Sequence, residues 1–148
     1  MAKPQTWDLS YSQSYENFLS LVGQMKLAGK RVRVQFVPEK RSLSQNAMNF
    51  ALYKQIAEQV EDQSIEDVRR ECKLNIGVPI LRADDPMFDG FCEKALGSLT
   101  YEQQLKSMRF IDVTSLMSKE QGTRFIDEVI RTYSQAGLCM LHPSEMAA

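Results

Sequence analysis

The chain has few of the residues on which catalytic and metal sites usually depend. Its one histidine, His142, lies beside Pro143 near the C-terminus, which argues against a catalytic centre built on a histidine base. No glycine-rich phosphate-binding loop is present, and no apolar run approaches the ~20 residues of a membrane span. The three cysteines are widely spaced, without a Cys-x-x-Cys pair, and are predicted to be reduced thiols: Cys72, Cys92 and Cys139. We therefore expect neither an enzyme nor a cofactor.

The composition is that of an ordinary globular domain. Apolar residues make up 43% and charged residues 25% of the 148 residues. This length predicts a single domain over residues 1–148 with a sizeable core. The N-terminal residues Met1 to Gln5 lack the apolar stretch of a signal peptide, so a cytoplasmic location without membrane association is expected.

Charge is segregated along the chain, although the net charge is only −1. Residues 24–54 contain seven basic side chains and one acid, whereas residues 55–72 and 84–102 are mainly acidic. A basic region on a near-neutral protein is compatible with phosphate binding, although charge runs are also common on solvated surfaces.

Hydrophobic periodicity predicts an α+β fold, a single helix-rich domain with a small sheet. The opening is read as strand, helix, strand: residues 6–9, then 14–28 with Gly29 as the stop, then Arg31–Val37, where polar and apolar residues alternate. Further helices are predicted over residues 43–60 and after Ser64, Thr100 and Ser118. Gly77 to Pro79 is expected to end a helix, and residues 84–97 are expected to be the least regular segment.

The junction between the second strand and the long helix is the most informative stretch. Ser42 and Gln45 form a predicted capping box at the start of the helix. Helix N-termini attract anions, and Lys40 and Arg41 add positive charge beside this one. The alternative is a well-capped helix with two solvated basic residues.

The helix over residues 43–60 has a broad apolar face that includes Phe50, Tyr53 and Ile56, with Gln55 mostly opposite. Its first turns place three amides on the apolar side: Gln45, Asn46 and Asn49. Buried amides without partners cost about 1–3 kcal/mol each. They therefore either bond to backbone groups or line a polar opening at the edge of the core.

One acid-x-Lys sequence, Glu71-Cys72-Lys73, has the spacing that some metal-dependent nucleases use. Those nucleases place it on a strand, whereas here it falls in a helical pattern. Asp84 and Asp85 are more plausible as turn acids than as ligands. No metal site is predicted.

The order of elements and the sequence at the junction resemble the bacteriophage NinB family of recombination proteins, also called Orf. The matching signature is Arg-Ser-Leu-x-Gln-Asn, carried here by Arg41, Ser42, Leu43, Gln45 and Asn46. A following helix that begins at Ser64-Ile65-Glu66 has similar spacing. The resemblance covers about the first half of the chain and is looser beyond it.

The resemblance implies a recombination mediator that binds single-stranded DNA non-specifically and assists recombinase loading onto strands coated by the host single-strand binding protein. It also implies a homodimer in the cytoplasm of a bacterial host. Basic residues would contact phosphates without reading sequence, and no residue is nominated for stacking on bases. The expected DNA-binding residues are Arg31, Arg33, Lys40, Arg41, Gln45, Asn46, Arg69, Arg70 and Lys73.

Two other functions stay open at this point. One is a protein–protein adaptor that does not touch DNA, and the other is a metal-dependent nuclease that uses Glu71.

Overall fold

The computed structural model describes residues 4–36 and 44–145. Within these ranges the regular structure is helical, and no β-strand is present. The prediction of an α+β fold with a small sheet is therefore wrong. The α-helices are α1 (Ser12–Leu27), α2 (Gln45–Gln59), α3 (Ile65–Cys72), α4 (Val78–Asp84), α5 (Pro86–Leu96), α6 (Tyr101–Ser107) and α7 (Lys119–Gln135). Short 3₁₀ turns occupy Thr114–Leu116 and Pro143–Glu145.

Neither predicted strand forms in the part of the chain that the structure describes. Residues 31–36 have no regular structure, residues 6–9 form coil and the start of a turn, and Val37 lies outside the described residues. The apolar side chains of residues 31–36 are solvent-exposed: Val32 at 52%, Val34 at 71% and Phe36 fully. A strand needs a neighbour for its backbone groups and an apolar layer for one face. Alternation alone supplies neither.

The helix starts that depend on local chemistry are confirmed. Ser64 and Asp67 form a capping box, in which the Ser64 hydroxyl accepts from the Asp67 amide and the Asp67 carboxylate accepts from the Ser64 amide. Thr100 and Ser118 cap α6 and α7 in the same way. At the start of α2 the cap is Ser44, whose hydroxyl accepts from Ala47. Ser42, the predicted cap, lies outside the described residues.

Two segments that were predicted to lie outside helices are themselves helical. The helix does not end at Gly77, because a π-helical segment, Lys73–Gly77, joins α3 to α4. This change of hydrogen-bond register lies beside Pro79, which has no amide hydrogen to donate. The acidic stretch after Asp84 forms α5, because the Asp85 carboxylate accepts from the Met87 and Phe88 amides and Pro86 occupies the first turn.

Two hydrophobic clusters form the core, and the half-buried Met117 packs against both. The first joins α2, α3 and α7 around the fully buried Phe125. The second lies among the π segment, α4, α5 and the chain after α6, around Met108 and Val113. Within the described residues, no helix is both long and apolar enough to cross a membrane.

Two glutamines of α2 hold the chain that follows α7. The Gln55 side chain donates to the Leu141 carbonyl at 2.8 Å and accepts from the Leu141 amide at 2.9 Å. One turn later, Gln59 makes the same pair of bonds to Cys139, at 2.8 and 2.7 Å. These side-chain amides satisfy the backbone amide and carbonyl groups of Cys139 and Leu141, as a neighbouring strand would do in a sheet. Gln55 is buried, contrary to its predicted position opposite the core.

Candidate functional site

A groove of about 330 Å³ lies between α2, α3 and the chain after α6. It begins at Asn46, in the first turn of α2, which is the last residue of the Arg-Ser-Leu-x-Gln-Asn sequence. Its walls mix aromatic, amide and charged side chains: Asn46, Asn49, Phe50, Tyr53, Ile65, Glu66, Arg69, Lys73, Asp112, Thr114 and Ser115. We call it the α2–α3 groove.

The α2 wall of the groove is one face of that helix. Asn49 and Phe50 lie three and four residues after Asn46 and four and three residues before Tyr53, which places the four side chains on one face. Tyr53 is buried, as predicted. Phe50 is 56% exposed, so its predicted place in the core is wrong. The wall therefore carries an accessible aromatic ring beside two amides.

The opposite wall carries the charges of the groove. The exposed Arg69 guanidinium lies 3.9 Å from the Glu66 carboxylate on the same helix. Such a long, exposed pair contributes little stability, so the Arg69 charge remains available to a ligand. Lys73 is buried, and its ammonium donates to the Met108 carbonyl at 2.7 Å. Burial and the nearby Arg69 hold the pKa of Lys73 below its ordinary value, while Asp112 acts in the opposite direction.

The groove brings together three of the expected DNA-binding residues, Asn46, Arg69 and Lys73. Asn46 and Arg69 are exposed, whereas Lys73 is buried and donates to the Met108 carbonyl. Sequence reasoning missed the exposure of Phe50. Its position one residue after Asn49 and four after Asn46 was the available signal.

The other expected residues lie elsewhere. Gln45 donates to the Lys119 carbonyl at 2.9 Å and packs against Gly122 of α7, which is a structural role. Arg70 is half-buried, with its Nε 3.9 Å from Glu66, and does not line the groove. Arg31 and Arg33 are exposed on residues 31–36. Lys40 and Arg41 lie outside the described residues.

The two charged side chains of the acid-x-Lys sequence bond to different partners. Glu71 accepts hydrogen bonds from Gln63 and Tyr133, whereas Lys73 bonds to Met108. Among residues 4–36 and 44–145, no three His, Cys, Asp or Glu side chains are grouped so as to hold a metal ion.

A larger cavity, of about 680 Å³, lies among α4, α5 and α6. Its principal cation, Arg82, already bonds to Asp89 and Glu93, each at 2.6 Å. This pairing leaves no free charge for an anionic ligand, so we place the candidate site in the smaller groove.

All three cysteines are free and buried. Burial raises the pKa of Cys72 and of Cys139 to about 12 and also raises the pKa of Cys92. Because the thiolate is the reactive form, we expect native protein to react with a disulfide reagent much more slowly than protein in denaturant, where three thiols should react. Rapid labelling of the native protein would contradict this burial.

A comparison of the chain with protein-family models, with curated proteins and with solved structures finds no match.

Proposed function

We propose that this protein binds single-stranded DNA in the α2–α3 groove and acts as a recombination mediator of the NinB kind. The observation that carries DNA binding is the placement of an exposed aromatic ring, Phe50, across the groove from the exposed cation Arg69. The mediator role rests on the resemblance of residues 41–46. The proposal includes a homodimer that assists recombinase loading onto strands coated by the host single-strand binding protein.

Phe50 is the stacking residue that the sequence did not indicate. Proteins that bind single strands combine aromatic rings, on which bases stack, with cations that follow the backbone. Phe50 is 56% exposed and lines the groove, so part of its ring is open to a base. Stacking of this kind tolerates any base, which suits binding without marked sequence preference.

The charges support modest phosphate binding. Arg69 lies in the groove, and Arg31 and Arg33 are exposed nearer the N-terminus. Glu66 and Asp112 also line the groove and oppose this attraction. One to three phosphate contacts would give an affinity that falls about 3- to 20-fold between 50 and 200 mM salt.

Replacing Phe50 with alanine is expected to weaken binding of a labelled single-stranded oligonucleotide by about 5- to 150-fold, because stacking contributes about 1–3 kcal/mol per base. Fluorescence anisotropy at the two salt concentrations measures this loss. The matched control is Phe91→Ala, which removes a similarly exposed ring (49%) from α5, outside the groove.

Three results would separate the alternatives. Selective loss with Phe50→Ala supports the site. Equal effects of Phe50→Ala and Phe91→Ala would place DNA binding elsewhere. No binding by the wild-type protein, even at the lower salt concentration, would contradict DNA binding altogether.

The second candidate is the adaptor, and one observation favours it. Val34 and Phe36 expose most of their side chains on an irregular segment, and exposed apolar groups of this kind occur at protein–protein contacts. An adaptor would show no anisotropy change with DNA and would lose partner binding on Phe36→Ser.

A further inference from the structure

Residues 108–112, in the chain after α6, carry an exposed aromatic ring beside the α2–α3 groove. The Phe110 side chain is 83% exposed. Met108, two residues earlier, accepts a hydrogen bond from Lys73, which lines the groove. Asp112, two residues later, also lines the groove. Because two residues of extended chain span about 7 Å at most, the backbone of Phe110 lies at the rim of the groove.

The Phe110 ring has no packing role within the part of the chain that the structure describes. It belongs to neither hydrophobic cluster and to neither close pair of aromatic rings. Single exposed apolar residues are common on protein surfaces, so exposure alone does not make a site. Two further features distinguish this ring, namely its place at the groove and the cations around it.

Two cations accompany the Phe110 ring. The guanidinium carbon of Arg109 lies 6.0 Å from the ring centroid, which is the outer limit of a cation–π contact. Lys106 is exposed three residues before Arg109, at the end of α6. Among residues 4–36 and 44–145, neither cation forms an ion pair with an acid. Residues 106–112 contain one acid, Asp112, so positive charge prevails around the ring.

We infer that Phe110 and Arg109 form a second nucleotide site at the rim of the α2–α3 groove, where a base stacks on Phe110 and Arg109 contacts a phosphate of the same strand. This inference rests on the proposed binding of single-stranded DNA and extends the bound strand beyond Phe50 by at least one base. Proteins of this class stack successive bases on separate aromatic rings and place cations along the backbone. The unpaired cations favour a nucleic-acid strand over an apolar protein partner, because phosphates are negatively charged.

The first test measures binding of a labelled thymidine oligonucleotide of about 16 nucleotides, the upper end of common site sizes. Phe110→Ala is expected to weaken binding about 5- to 30-fold, in the lower part of the range for stacking on one ring. Phe110→Trp should retain wild-type affinity, whereas Phe110→Leu should lose as much as Phe110→Ala, because leucine keeps an apolar side chain but offers no flat ring. Phe91→Ala, which removes an exposed ring from α5 outside the groove, is the control and should bind as the wild type does.

The second test isolates the phosphate contact. Loss of one contact to a single strand lowers the slope of log affinity against log salt concentration by about 0.7. In Arg109→Gln, the loss of affinity between 50 and 200 mM salt should therefore be about 2.6-fold smaller than in the wild-type protein. Lys94→Gln removes an exposed cation of α5 outside the groove and should leave the slope unchanged.

The outcomes separate this inference from the proposed function. The losses caused by Phe50→Ala and Phe110→Ala should multiply in the double variant, because each ring holds its own base. Wild-type affinity of Phe110→Ala, together with a loss in Phe50→Ala, would overturn the second site and leave the proposed function in place. Retained affinity in Phe110→Leu, or an unchanged salt slope in Arg109→Gln, would also overturn it. Absence of DNA binding by the wild-type protein would overturn both.

Discussion

Replacing Gln55 with alanine is expected to lower the free energy of unfolding by about 2–4 kcal/mol, because the buried Leu141 amide and carbonyl each lose their partner. In a protein of this size, such a loss lowers the melting temperature by roughly 5–15 °C. Denaturant and thermal unfolding followed by circular dichroism measure both quantities. The adjacent exposed residue provides the control, since Lys54→Ala should change the free energy by no more than about 0.5 kcal/mol.

The chain after α7 should detach locally before the whole protein unfolds. Gln59 fixes the backbone of Cys139, two residues before Leu141. In Gln55→Ala, we therefore expect Cys139 to be alkylated faster than Cys72 and Cys92 under native conditions, as peptide mass spectrometry would show. Unchanged labelling of Cys139, together with stability equal to that of Lys54→Ala, would mean that Gln55 does not hold this segment.

What was predictable from the sequence is what local chemistry determines. Ser64, Thr100 and Ser118 each stand three residues before a side chain that can return the bond, so a capping box needs no distant partner. Gly29 adopts a positive φ angle of 68° where helix α1 was expected to stop, and Gly137 adopts one of 94° just after α7. The Asp85 cap of α5 was equally local but was missed, because the acids and glycines around it were read as irregular structure.

What could not be predicted depends on distant partners. Residues 31–36 alternate as a strand does, but alternation does not reveal whether a second strand is present. The core-facing side of α2 is decided by α7 and by residues 139–141. Together these bury Gln55 through its bonds to Leu141, while Phe50 remains exposed at the groove. The sequence did not reveal the candidate site for the same reason: the main feature of the site is the exposure of Phe50, which depends on which side of α2 faces the core.

Replacing Gly77 with alanine is expected to destabilise the protein by about 1–2 kcal/mol, because overpacking a core costs about 1–3 kcal/mol and the better helix propensity of alanine offsets part of this. The backbone of Gly77 is ordinary, with φ −67° and ψ −48°, so only space requires glycine here. An added Cβ would lie 2.6 Å from Cγ1 of the fully buried Val113 and 3.5 Å from the Phe125 ring. Val113 is β-branched and has little rotamer freedom to move away.

The same substitution at Gly90 isolates this packing effect. Gly90 is exposed within α5, and an added Cβ would meet no atom within 4 Å. Gly90→Ala should therefore stabilise the protein by about 0.5–1 kcal/mol through helix propensity and reduced entropy of the unfolded chain. Opposite signs for the two variants in denaturant unfolding would establish that the π-helical segment packs tightly against the chain after α6. If Gly77→Ala stabilised the protein as much as Gly90→Ala, the space around Gly77 would have to be larger than the structure indicates. The π segment would then be free to shift relative to Val113, and with it Lys73, which forms part of the wall of the α2–α3 groove.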